Sequence, residues 1–225
     1  RLVALLDDSR QSIRAGAAEW LAERRDPSAA KALWGRLKIE KSELARAAIL
    51  TGLRDLGEDV SKVLGPGALV GEAEKGLKST KLDKLEWLDL QNLPRVRFCG
   101  GESAPNEMIR WWIALALKLK QPGGNALFSL YLDQLETDDA IALSTWILDA
   151  WINHDTVRPN EMDANAYAKA NASNYYNMYV TYIKDYSEAL AFAQLRQEYM
   201  SKYPNSGTES KGILALAMRA PSAVA

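Results

Sequence analysis

The residues of this chain that could do chemistry are few. "WINHDTVRP" holds its one histidine, His154, with the carboxylate of Asp155 and the hydroxyl of Thr156 directly behind it, and "RFCGGESAP" holds its one cysteine, Cys99. Histidine, carboxylate and hydroxyl are the residue types of a general-base triad. A cysteine in a glycine-containing loop ahead of a helix can have its thiol pKa lowered and attack as a thiolate, with His154 as its base. The spacing argues for a plainer task. Adjacent His and Asp do not produce the geometry in which the acid orients the base. A zinc site needs three or four ligands, and the chain has no second histidine and no cysteine pair. Leu143, Ile147, Ala150 and Trp151 share a helical face with His154, placing it at the core-facing edge of a last turn, where the helix dipole favours a cation. Asp155 and Thr156 then leave the helix, Pro159 pushes Arg158 into extended geometry, and Asn160 caps the next helix with Asp163 three residues on. Cys99 reads equally as a small apolar residue ending a short strand. "GPGALVG" and "GGES" lack the arrangement that cradles a phosphate, so no cofactor is expected, and Asp7–Asp8 and Asp138–Asp139 read as partners of helix N-terminal dipoles rather than metal ligands.

The elements that must position these residues are helical. Leucine, alanine, lysine and glutamate dominate, and apolar positions recur at three- and four-residue spacing, which makes the chain all-α. Helices are predicted at about 11–24, 27–38, 42–56, 66–77, 105–119, 124–135, 137–153, 160–172, 175–202 and 208–219. The helices at 105–119 and 124–135 are expected to form an antiparallel pair around "KQPGGN". One segment, "LPRVRFCGG", alternates Val96 and Phe98 with arginines and is predicted to be extended.

An internal repeat stands near the start. "IRAGAAEWLAERRDPSAAKAL" laid over "ARAAILTGLRDLGEDVSKVLG", an offset of 32, aligns Arg14 with Arg46, Ala15 with Ala47, Leu21 with Leu53 and Asp26 with Glu58. Each unit reads as a helix with small packing residues, an acidic turn and a second helix, the pattern of stacked HEAT-like hairpins in an α-solenoid. Residues 1–65 are assigned to such repeats and 66–225 to a longer, aromatic-rich helical array packed on the solenoid or continuing it, with a boundary near 66 at Gly65-Pro66-Gly67. "RLVALLDD" reads as the last turns of a helix already under way, and "PSAVA" as the start of another, so the chain is expected to be a piece of a longer protein.

The phrases "LEWLDLQNLPRVRF", "IRWWIALALKLKQPGGNAL", "ILDAWINHDTVRP" and "SKGILALAMRAP", in this order, resemble a bacterial family of unknown function with HEAT-like repeats. Its members often carry the label molybdate metabolism regulator-like, and some have a nucleic-acid-associated WGR domain elsewhere in the chain. The resemblance covers roughly residues 66–225 and implies an α-helical repeat protein with no catalytic residues to carry over. The letters Trp34-Gly35-Arg36 fall inside a predicted helix, whereas a WGR domain is β-rich, so they are read as coincidence.

Function then rests on surfaces. The 28 basic and 29 acidic side chains nearly cancel, giving no global field for nucleic acid or an anionic membrane. No apolar run approaches the roughly 20 residues needed to span a bilayer. The lone Cys99 fits a reducing compartment, so a cytoplasmic protein without membrane contact is expected. Arg10, Arg14, Arg24, Arg25, Arg36 and Arg46 fall on the repeat segment, where some would line one side of the superhelix. With acids interspersed, a solvated face is preferred to a nucleic-acid groove. Tyr175, Tyr179, Tyr182 and Tyr186 form a stripe on a long predicted helix, read as core packing or a binding face. The preferred function is a non-catalytic scaffold for protein–protein interaction, with Arg14, Arg46 and the four tyrosines as partner-binding candidates. A nucleic-acid-linked regulatory module is second, and an enzyme using Cys99 and His154 is third.

Overall fold

Small residues decide how the first helices pack. The computed structural model describes residues 1–25, 28–78, 80, 85–202 and 209–221. Asp26 of the repeat match and most of the terminal "PSAVA" lie outside the described residues. The chain begins with α1 (Leu2–Leu5), α2 (Gln11–Glu23), α3 (Ser28–Leu37), α4 (Glu43–Asp55) and α5 (Ser61–Leu64). Ala15, Ala18 and Leu21 of α2, Leu33 of α3, and Ala48, Ile49 and Leu53 of α4 share one buried cluster. At Gly52 the α2–α4 seam is so close that an added Cβ would lie 3.2 Å from the Ala22 Cβ and 3.4 Å from the Ala18 carbonyl oxygen. Both helices end in left-handed backbone, at Arg25 (φ 50°) and Gly57 (φ 81°), a conformation glycine adopts without a Cβ penalty and arginine does not.

Pro66 starts α6 (Pro66–Leu77) at a position where its missing N–H costs nothing. Beyond it come α7 (Asn106–Leu119), α8 (Ala126–Leu132) and α9 (Thr137–Asp155). Before α7 the chain is extended as expected. Among the described residues it forms isolated antiparallel bridges, Arg97 with Ser103 and Phe98 with Leu135, and no strand. The expected α7–α8 pairing is not the main contact of either helix: α7 packs chiefly against α6 and a C-terminal 3-10 segment (Glu209–Leu216), and α8 against α4. That segment replaces the α-helix expected at 208–219. Its Ile213, Ala215 and Leu216 are buried, Gly212 presses on the α7 backbone, and the Leu216 carbonyl accepts from Ser144 Oγ at 2.7 Å. Local periodicity could not show that α7 would have such a neighbour.

The chain divides into two compact units, Arg1–Asp149 with Glu209–Ala225, and Ala150–Thr208. This division does not fall at the boundary expected near residue 66, where α5 contacts α6 and Arg46 reaches Glu72. The second unit contains the hairpin of α10 (Glu161–Tyr179) and α11 (Glu188–Ser201). Ala168 and Ala172 of α10 are buried with Ala191 and Leu195 of α11. The break expected at 173–174 lies instead at 180–187. The polar "NASN" run stays helical, with Asn171 Nδ2 donating to the Tyr167 carbonyl. The real stop uses Asp185 at φ 61° and Ser187, whose hydroxyl accepts from the Leu190 amide at 3.1 Å. No described helix is long and apolar enough to cross a membrane.

Candidate functional site

The two candidate arginines of the repeat segment prove to be internal. Arg14 is 8% exposed and donates from Nε and NH2 to both oxygens of Glu40 at 2.7 and 2.8 Å, and from NH1 to the carbonyls of Asp8 and Ser9. This fork-on-fork geometry is the strong form of the arginine–carboxylate bond. Glu40, whose side chain is fully buried, also accepts from Arg36 Nε and from the amides of Lys41 and Ser42. Burial by itself raises the Glu40 pKa, but Arg14, the Ser42 amide and Arg36 outweigh it and hold the carboxyl down at about 2.

Arg46 also pairs with a glutamate 26 residues on, through one nitrogen rather than two. It lies between α4 and α6, donating from NH2 to Glu72 Oε2 at 2.6 Å and from NH1 to the Tyr131 hydroxyl at 3.0 Å, with Glu43 at 3.5 Å. Glu72 also collects two further helices: Tyr131 Oη of α8 donates to it at 2.6 Å and Trp111 Nε1 of α7 at 3.1 Å. Burial raises the Glu72 pKa, but Arg46 and these donors bring it below the usual carboxylate range. Glu43 goes the other way, because burial and the charge of Glu72 outweigh Arg46. The Tyr131 phenol is pushed up by burial, and its ring stacks on Trp112 at 5.1 Å. Arg14 and Arg46, expected as partner-binding candidates, turn their donors inward onto carboxylates.

The sequence reading missed Glu40, Glu72 and Tyr131. A usable signal existed, because Arg14–Glu40 and Arg46–Glu72 both span 26 residues. It also gave Asp139 only a dipole role. Asp139 in fact clamps the extended segment, accepting from the Arg97 backbone amide at 2.8 Å and from its Nε at 2.9 Å.

Cys99 is exposed and lines a cleft of about 490 Å³ with Leu135, Ala140, Ile141 and Met218. Its thiol donates to the Leu135 carbonyl at 3.1 Å and its amide to the Gln134 carbonyl at 2.9 Å. Arg219, in the same cleft, is ion-paired with Asp133, as is Arg54. Among the described residues no three histidine, cysteine or acidic side chains cluster as metal ligands. His154 belongs to the second unit and Cys99 to the first. His154 is half-buried in the last turn of α9, which runs through Asp155 rather than stopping before it. Burial lowers the His154 pKa against the opposing charge of Asp155. Asn160 caps α10 as expected, accepting from the Asp163 amide at 2.8 Å.

The tyrosine stripe is also corrected, because the chain turns within it. Tyr186 is buried with Tyr175 and Tyr179 packed beside it; Tyr176 and Tyr186 stack at 6.4 Å, and Tyr186 Oη donates to Gln194 Oε1 at 2.6 Å. Burial raises the pKa of both Tyr175 and Tyr186. Tyr182 is 84% exposed in the turn, with Met178, Val180 and Ile183 exposed around it. Comparison of the chain with protein-family models, curated proteins and solved structures found no match.

Proposed function

We propose that this chain is a non-catalytic α-helical repeat scaffold of a bacterial cytoplasmic protein, built from HEAT-like hairpins and binding a protein partner. The observation that carries the reading is the recurrence of Arg14–Glu40 as Arg46–Glu72, each spanning 26 residues and standing 32 apart. The helices that bear these arginines start 32 residues apart, and so do the left-handed residues that end them, Arg25 and Gly57. Such recurrence is expected when each hairpin is bolted to the next by the same ion pair. The family resemblance leads to the same expectation. Of the six arginines of the repeat segment, Arg10, Arg14, Arg36 and Arg46 are committed to carboxylates.

Partner binding is assigned to the α10–α11 turn, where Tyr182 and Ile183 stand out from a base held by buried tyrosines. An exposed aromatic on a rigid base loses little entropy on binding. Affinity capture with the full chain from a bacterial lysate tests this, alongside Tyr182→Asp/Ile183→Asp. The wild type should retain a protein that the double variant loses while keeping its helical circular dichroism. Equal retention by both, or none by the wild type, would count against the reading.

A further inference from the structure

We propose that Glu43 is a proton switch at the junction of α4 with α6, α7 and α8: it is charged at neutral pH, takes up a proton in mildly acidic solution, and makes the junction more stable when it does.

Two carboxylates at this junction share one guanidinium. Arg46 gives NH2 to Glu72 at 2.6 Å and NH1 to the Tyr131 hydroxyl at 3.0 Å. Glu72 also accepts from Tyr131 Oη and Trp111 Nε1, so donors of α4, α7 and α8 all answer its charge. Glu43 receives Arg46 NH1 at 3.5 Å, the outer limit of a hydrogen bond, from a nitrogen already given to Tyr131. Its side chain is 24% exposed and that of Glu72 21%, so water screens neither fully. Where two such carboxylates meet one base, the one with the poorer donors takes the proton.

The groups that face Glu43 divide by sign. Arg46 on its own helix, Lys118 on α7 and the positive end of α4, which Glu43 opens, favour the carboxylate. Burial and Glu72 on α6 oppose it, and Tyr131 on α8 stays a neutral phenol. Burial and Glu72 prevail, holding the Glu43 carboxyl above the ordinary glutamate value of 4.5. The folded chain therefore binds this proton more tightly than the unfolded one. The stability it contributes is full below 4.5 and is lost as pH rises through the higher folded value. The balance at Glu40 is the reverse, one carboxylate taking both Arg14 and Arg36, so acid weakens that cluster. Mild acid thus strengthens the α4 junction before Glu40 begins to titrate.

A carbon-detected NMR titration of the glutamate side-chain carboxyls in the full chain tests the proposal, beside urea denaturation of wild type and Glu43→Gln from neutral pH to 4.5. The expected result is a glutamate resonance that titrates above 4.5 and is missing from Glu43→Gln. The variant should have the higher urea midpoint at neutral pH, with the two midpoints converging as pH falls to 4.5, because the amide is already neutral. A Glu43 resonance titrating at or below 4.5 would overturn the proposal, as would a variant less stable than wild type at neutral pH. A stability gap that is constant with pH would overturn it too, since a purely structural effect of the substitution has no such dependence.

Discussion

Replacing Glu40 by glutamine keeps the shape of a fully buried side chain and removes one charge. The native carboxylate accepts from Arg14 Nε and NH2 at 2.7 and 2.8 Å, from Arg36 Nε at 2.9 Å, and from the Lys41 and Ser42 amides at 3.0 and 2.8 Å. An amide keeps one acceptor oxygen and turns an NH2 toward groups that are themselves donors, so Arg14 is left buried without a counter-charge. Breaking a buried pair in this way costs about 3–5 kcal/mol. The depressed pKa supplies a second figure: a fall from 4.5 to about 2 corresponds to roughly 3 kcal/mol. We therefore expect Glu40→Gln to lose about 3 kcal/mol at neutral pH, a drop in Tm of roughly 6–12 °C for a chain of this size. Because the folded carboxyl titrates below its unfolded value, its stabilisation is complete above pH 4.5 and is lost as pH falls toward about 2. Urea denaturation followed by far-ultraviolet circular dichroism, repeated at several pH values between neutrality and about 3, should show the gap between wild type and variant narrowing on acidification. A gap below about 1 kcal/mol at neutral pH, or one that does not narrow, would refute the reasoning.

Tyr131→Phe keeps the stack on Trp112 but removes the hydroxyl shared by Glu72 and Arg46, and should cost about 1.5–3 kcal/mol in the same denaturation assay, the range for hydrogen bonds to charged groups. An unchanged midpoint would mean that the cluster re-pairs without it. Gly212→Ala places a Cβ 2.6 Å from the Ala116 carbonyl oxygen and 3.1 Å from the Leu117 Cα, backbone that cannot swing aside. It should cost about 1–3 kcal/mol and raise amide exchange through 211–216; wild-type protection there would contradict the close approach.

Much of the helical layout could be read from spacing alone. The starts of α2, α4, α6 and α9 fall within a residue of where periodicity placed them, because the apolar periodicity, the Ser42 cap of α4 and the proline that opens α6 are local. The hairpin turn at 180–187 escaped notice since it has no glycine or proline, and it relies on Asp185 adopting a left-handed backbone that its sequence does not advertise. The tyrosines were legible as a group and misplaced as a stripe, because a face can be counted only along an unbroken helix. The arginines were misjudged for a related reason. Charge on a helix reads as surface until a carboxylate from another element comes within 3 Å, and Glu40 stands 26 residues from Arg14.

The amino-acid sequence by itself determined an all-α chain, its small-residue seams and the cap at Asn160, since propensity, capping and the helical period act over a few residues. Only the tertiary structure decided that Arg14 and Arg46 are internal, that the C-terminal segment returns to α7, and that Tyr182 and Trp20 remain outside. Those outcomes depend on which distant groups meet. Burial and ion pairing are properties of the meeting and not of either residue.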